Sequence, residues 1–127
     1  MKMLDHPNII KLVEFGEDGK VVGPQTTEGL TFIVMEYVDG VTLFDLWSNY
    51  GKPIGEKYGR FLMLQLIDAL QYMLSLGVVH RDIKPENIII DNHMNIKLLD
   101  FGFAAHENIE AMTAYRGTLT YMAPEIK

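Results

Sequence analysis

The residues best suited to chemistry lie in two short runs, His80-Arg81-Asp82-Ile83-Lys84-Pro85-Glu86-Asn87 and Asp100-Phe101-Gly102. Asp82, Lys84 and Asn87 place a carboxylate, an amine and an amide oxygen within six residues, and Asp100 adds a second carboxylate thirteen residues past Asn87. A carboxylate beside a reacting hydroxyl can act as base or orienting group. An ammonium can meet charge developing on phosphate oxygens. An amide oxygen and a carboxylate converging on one point are hard ligands, suited to Mg²⁺ that keeps waters and phosphate oxygens. Together they read as the catalytic and metal loops of a phosphoryl-transfer site. A bland assignment stays open for each alone: Asp82 caps a turn, Lys84 is solvated, and Asn87 and Asp100 close strand ends.

Specific elements must position these groups. Ile88-Ile89-Ile90 and Ile96 to Leu99 are β-branched or apolar runs about the turn Asp91-Asn92-His93-Met94-Asn95, which makes a hairpin bringing Asn87 close to Asp100. Upstream, a long helix is expected from Glu56 to Leu76 with Gly77 just past its end. Lys57, Arg60, Asp68, Gln71 and Ser75 form its one polar stripe, a pattern that asks for cover on most sides; the few other elements here cannot supply it, so this chain by itself should expose apolar surface. Thr42-Leu43-Phe44-Asp45 has the capping-box pattern, and the short helix it opens should run to Tyr50 and stop at Gly51.

The front of the chain reads as strands, Ile9 to Phe15 and Leu30 to Val38, with the pair Asp18-Gly19 as a tight hairpin turn and Val21-Val22 as a short return. Asp39-Gly40 ends this strand-rich front. From Phe101 to Lys127 no amphipathic pattern is visible, and such a long loop in a compact domain is usually functional or disordered.

At 127 residues, 48% hydrophobic and 22% charged, the chain has the length of one domain and ordinary globular composition. A net charge of −6 argues against a nucleic-acid-binding module, and scattered Lys and Arg against a polybasic membrane anchor. The absence of cysteine excludes disulfides, thiolate metal sites and a Cys nucleophile. Met1 to Pro7 lacks the apolar core of a secretory signal. Phe61 to Leu76 is interrupted by Gln65, Asp68, Gln71 and Ser75, unlike a membrane span. The expectation is a soluble cytoplasmic protein without nucleic-acid or membrane partners.

His80-Arg81-Asp82-x-Lys84-x-x-Asn87, Asp100-Phe101-Gly102 and Gly117-Thr118-x-x-Tyr121-Met122-Ala123-Pro124-Glu125 occur in the order and at the spacing that resemble the signature set of eukaryotic protein kinases. Leu4-Asp5-His6-Pro7-Asn8-Ile9-Ile10-Lys11-Leu12 is similar to the family's junction into the fourth strand of the small lobe. Val34-Met35-Glu36-Tyr37-Val38 is similar to its fifth strand and hinge. The resemblance implies an α+β, protein-kinase-like fold with 1–37 as a small-lobe remnant of two or three antiparallel strands, 38–40 as the hinge and 41–127 as large lobe through the activation segment. It implies ATP and Mg²⁺ as cofactors and a protein Ser/Thr hydroxyl as acceptor. Asp82 takes the role of base, Lys84 steadies the transferred phosphate, and Asn87 and Asp100 are the Mg²⁺ ligands. Met35 becomes the gatekeeper, the backbone of Glu36 and Val38 meets the adenine edge, Thr42 lies near the ribose, and Ile89 forms the pocket floor. Lys84 two residues after Asp82 is the Ser/Thr form of the loop, with a flavour of the calcium/calmodulin-dependent and AMP-activated-like groups.

Arg81 and Thr118 are regulatory candidates. Where a phosphorylated Thr often sits, three residues before Gly117, this chain has Ala114, which makes Thr113 the candidate phosphosite. The chain contains no G-x-G-x-x-G loop and no V-A-I-K strand Lys. It is therefore expected to be a fragment, inactive alone, of an active kinase. Two other readings stand beside that one: a catalytically inactive kinase-like nucleotide-binding or scaffold protein, and an unrelated metal protein using His80, Asp82, Asp91, His93 and His106.

Overall fold

The computed structural model describes residues 4–51, 53–106 and 116–126. It opens on an antiparallel pair, β1 (Leu12–Val21) and β2 (Thr27–Met35), joined through 22–26. Asp18-Gly19 is not the turn that its sequence promised. Asp18 adopts a left-handed φ of 61° inside β1, and the register slips between Gly16 and Gly19. The ring of Phe32 explains the glycines: a Cβ on Gly16 or Gly19 would come within 2.5 Å or 2.6 Å of it. The glycines admit an aromatic side chain across a bulged strand, and the chain reverses later, at Gly23-Pro24.

A three-stranded sheet follows in the order β3 (Gly40–Thr42), β5 (Ile88–Asp91), β6 (Ile96–Leu98), all antiparallel. Gly40, read as the last residue of the connection, already pairs with Asp91. Helix α1 (Leu43–Tyr50) starts as expected: Thr42 Oγ1 accepts the Asp45 N–H at 3.0 Å, and Gly51 closes the helix at φ 56°. Helix α2 (Glu56–Ser75) ends within a residue of its expected stop, with Gly77 at φ 66°. The expected hairpin is present, its strand pairs being Ile88 with Leu98 and Ile90 with Ile96.

The core lies where α2 meets this sheet. Leu62, Leu66, Ala69 and Met73 recur at helical spacing and are buried, as are Ile88, Ile90, Ile96 and Leu98 by strand alternation. Ile9 and Ile10 complete the cluster, and Ile9 forms a parallel bridge to Leu98. Among the described residues α2 leaves much of its apolar surface uncovered, as its sequence implies for this chain by itself. Tyr58, Phe61, Met63, Leu64, Ile67 and Leu74 are all exposed, because the sheet and residues 8–10 reach only one stripe.

Four short elements had no sequence signal. β4 (Val78–Val79) pairs with β7 (Ala105–His106), strands of two residues that are too short to show alternation. Two 3₁₀ turns, Leu119–Tyr121 and Pro124–Ile126, shape the segment read as featureless loop.

A buried amide ties the front to the core. Asn8 Nδ2 donates to Gln65 Oε1 at 2.8 Å and to Ile96 O at 3.0 Å, and Gln65 Nε2 donates to Met94 O at 2.9 Å. Replacing Asn8 by Ala should cost about 1–3 kcal/mol, since buried polar partners lose their bonds. Thr42→Ala removes a solvent-facing cap and should cost about 1 kcal/mol. Urea denaturation of the two variants should give that order.

Candidate functional site

The loop at 80–87 is held by its first residue. His80 Nε2 donates to Leu99 O at 2.8 Å and its Nδ1 accepts the Asp82 N–H at 3.2 Å. A carbonyl only accepts and an amide only donates, so the proton sits on Nε2 and the ring is neutral. The ring also packs edge-on to Phe101, centroids 4.9 Å apart. One imidazole therefore fastens the start of the loop to the end of β6. Burial pushes its pKa below the usual 6.5, against the opposing pull of the Leu99 carbonyl, Asp82 and Asp100.

Strain marks both sides of this junction. Arg81 and Asp100 have φ of 68° and 56°, a region that L side chains seldom occupy and that costs on the order of 1 kcal/mol or more each. Arg81 Nε donates to Phe103 O, which holds the residue after the Asp-Phe-Gly run to the loop.

Asp82, only 3% exposed, is surrounded by donors. Its Oδ1 accepts the Thr118 N–H at 2.9 Å and the Thr118 hydroxyl at 2.6 Å. Its Oδ2 accepts Lys84 Nζ at 2.7 Å and Asn87 Nδ2 at 3.1 Å. Burial alone would raise the pKa, but the Lys84 ammonium and the two Thr118 donors outweigh it and draw the carboxyl down to about 2. Asp82 is thus charged at any ordinary pH. Lys84 Nζ also donates to Thr118 Oγ1 at 2.9 Å, so carboxylate, amine and hydroxyl form a closed triangle. The bland assignments, Asp82 capping a turn and Lys84 in solvent, do not describe this geometry. Gly117 makes it possible: at φ 119°, a Cβ there would lie 2.4 Å from the Arg81 carbonyl oxygen.

Pro85 opens the 3₁₀ turn Pro85–Asn87, where its missing N–H costs nothing. That turn delivers Asn87, whose Nδ2 donates to both Asp82 O at 2.9 Å and Asp82 Oδ2. Both targets can only accept, so the amide oxygen is turned to the other side. The Leu99 N–H donates to Asn87 O at 2.8 Å, closing the hairpin directly before Asp100. Asp100 is exposed, and the Gly102 N–H holds its Oδ1 at 3.1 Å. A cleared amide oxygen and a fixed, exposed carboxylate at one hairpin end suit a hard cation carrying waters and phosphate oxygens.

The remaining residues sit above the sheet. Thr42, Ile89 and Lys97 are successive cross-strand neighbours of β3, β5 and β6, on the face opposite buried Ile88 and Ile90. Met35 ends β2 and is about half exposed. The Glu36 N–H donates to Lys11 O at 2.9 Å, which leaves its carbonyl for another partner. Val38 is half-buried against the core. The sequence did not foretell the use of the Glu36 side chain: Lys97 Nζ binds its Oε1 at 2.6 Å and the Lys11 N–H binds it at 2.9 Å. Burial works to raise the Glu36 pKa, yet the Lys97 and Lys11 bonds lower it on balance. An acidic residue after a strand and a Lys inside another were the only signals available.

Thr113 lies outside the described residues. The metal-protein reading fails among them: no group of three or more His, Asp or Glu is placed to hold an ion. Both nitrogens of His80 are engaged, and Asp91 spends its oxygens on His93 N–H and Asn95. No described helix is long and apolar enough to cross a membrane.

Comparison with known proteins gives one family. Residues 1–126 match the model described as protein kinase domain. A probable serine/threonine-protein kinase MARK-C of Dictyostelium discoideum is 40% identical over 99% of this chain. CBL-interacting protein kinases 33 and 9 of Oryza sativa subsp. japonica are 38% and 40% identical over the same share. The chain spans 16% of the first relative's length and 26% of each of the other two.

The buried neutral His80 carries a pH signature. Its folded pKa lies below 6.5, so the unfolded chain binds the proton first and stability falls as pH drops below that value. The slope should reach at most about 1.4 kcal/mol per pH unit for this one group. His80→Gln should be less stable at neutral pH but lack that part of the slope. Urea midpoints of both proteins between about pH 5 and 8 would show it, and parallel profiles would refute the assignment.

Proposed function

This chain belongs to the protein kinase domain family, and on that premise we propose that it carries the catalytic centre of a serine/threonine protein kinase. The reaction is transfer of the γ-phosphate of ATP to a Ser or Thr hydroxyl of a protein. The observation that carries the reading is the Asp82 carboxylate, ionised and joined to Lys84 and Thr118 in one triangle. We read 1–37 as the end of the small lobe, 38–40 as the hinge, and 41–127 as the front of the large lobe through the activation segment.

Asp82 is the base. Both of its oxygens already hold two donors, so an acceptor hydroxyl enters by displacing one of them. The Thr118 hydroxyl is the cheapest to move, because it can rotate while its amide keeps Oδ1 in place. Lys84 then stands within reach of the transferred oxygens, where an ammonium counters the developing charge. Mg²⁺, for which Asn87 and Asp100 are the fitting ligands, would neutralise phosphate charge. On the nucleotide side Ile89 and Thr42 supply the sheet face under the base and sugar, with Met35 beside them as gatekeeper. The Glu36 carbonyl and the Val38 amide are the backbone groups for the adenine edge. Arg81 is the partner for an anion on the activation segment, with Thr113 the proposed phosphosite, which phosphopeptide mapping of active protein tests.

In the full-length protein, Asp82→Asn should lower phosphotransfer by about 10²- to 10⁴-fold while leaving ATP binding little changed. Asp100→Asn should instead weaken Mg²⁺-dependent nucleotide binding, seen by titrating nucleotide at several Mg²⁺ concentrations. Wild-type turnover in the Asp82 variant would end the assignment of Asp82 as the base.

A further inference from the structure

Glu36 fastens three parts of the chain at one atom. Its Oε1 accepts Lys97 Nζ at 2.6 Å and the Lys11 N–H at 2.9 Å, while its own N–H returns to Lys11 O at 2.9 Å. Lys11 directly precedes β1, Glu36 directly follows β2, and Lys97 is the middle residue of β6. Both ends of the β1–β2 hairpin are therefore drawn to one carboxylate, and that carboxylate to the three-stranded sheet. The other backbone tie runs from residues 8 and 10 to Leu98, and it holds the segment before β1 rather than the end of β2. Among the described residues the ion pair reaches across 38–40 from the end of β2, and a bond from Asn92 Nδ2 to Asp39 Oδ2 at 3.1 Å holds the connection itself to the turn after β5. It is partly sheltered, with side-chain exposures of 21% for Lys97 and 30% for Glu36, so bulk salt screens it less than an open surface pair.

The location gives the pair a task. Lys97 stands opposite Ile89, which stands opposite Thr42, so the ammonium rises from the face assigned to the nucleotide. We propose that Lys97 is a positioning residue for nucleotide binding: by holding the Glu36 carboxylate, it fixes the direction of the Glu36 carbonyl and the Val38 amide. A hinge held in one geometry before binding loses less freedom when adenine arrives, which appears as affinity. This inference rests on the kinase reading above.

The test uses the full-length protein with Lys97→Met, which keeps the stem and removes the charge, and Lys97→Arg, which keeps the charge. Lys97→Met should raise the KM for ATP by about three- to tenfold with kcat nearly unchanged. It should also speed amide hydrogen exchange over 36–41, and Lys97→Arg should stay close to wild type in both. A purely structural role would lower kcat through loss of folded enzyme at constant KM. That result, or an arginine variant as impaired as the methionine one, would overturn the proposal. If the wild-type protein turns over no ATP, the kinase reading fails by itself. The clamp is then judged on exchange alone, and unchanged protection of 36–41 in Lys97→Met overturns it.

Discussion

An ionised carboxylate taken out of water must be met by donors on every side, and Asp82 imposes that requirement on the rest of the site. Lys84 and Asn87 come from the same loop, but Thr118 comes from 36 residues further on and brings two donors. Lys84 in turn leans on Thr118, and Asn87 can donate to Asp82 only because the turn at Pro85 presents its amide. Removing any one group leaves a charge partly uncompensated in a buried place. The arrangement is therefore collective, and its members are poor candidates for piecemeal substitution.

Support comes from outside the charged groups. His80 joins the loop to Leu99 and Phe101, and the Asn8–Gln65–Ile96 bonds join the front of the chain to α2 and β6. These are neutral hydrogen bonds in a packed setting, which hold direction without adding charge next to Asp82. The left-handed Arg81 and Asp100 directly follow His80 and Leu99, the two residues this tie joins, which is how two unfavourable backbone conformations persist.

Much of this was legible in the sequence because it is written in local signals. Thr42 with Asp45, the glycines at 51 and 77, and the Ile-rich hairpin each declare themselves within a few residues. The signature runs point to the proposed site through their resemblance to the kinase family, which is carried by their order and spacing. What escaped was decided by partners distant in sequence. Gly19 looked like a turn residue, but its role is set by the ring of Phe32 across the sheet. Val78-Val79 finds Ala105-His106 without any periodicity to announce it, and Lys97 finds Glu36 across 61 residues. The uncovered apolar surface of α2 was legible in its composition, which records a preference for burial without naming what buries.

The contact between Asp82 and Thr118 also has a consequence for the nascent chain. Ribosomes add about 5–20 residues per second, so the 36 intervening residues take about 2–7 s to emerge. Lys84 and Asn87 emerge early in that interval and Leu99, which fastens their loop, midway through it, while the segment that buries the carboxylate comes last. Asp82 must then keep its charge in water, and the site closes only when Gly117 lies flat against the Arg81 carbonyl. The centre is completed from its downstream side, so a side chain at position 117 would be felt first as a defect of assembly.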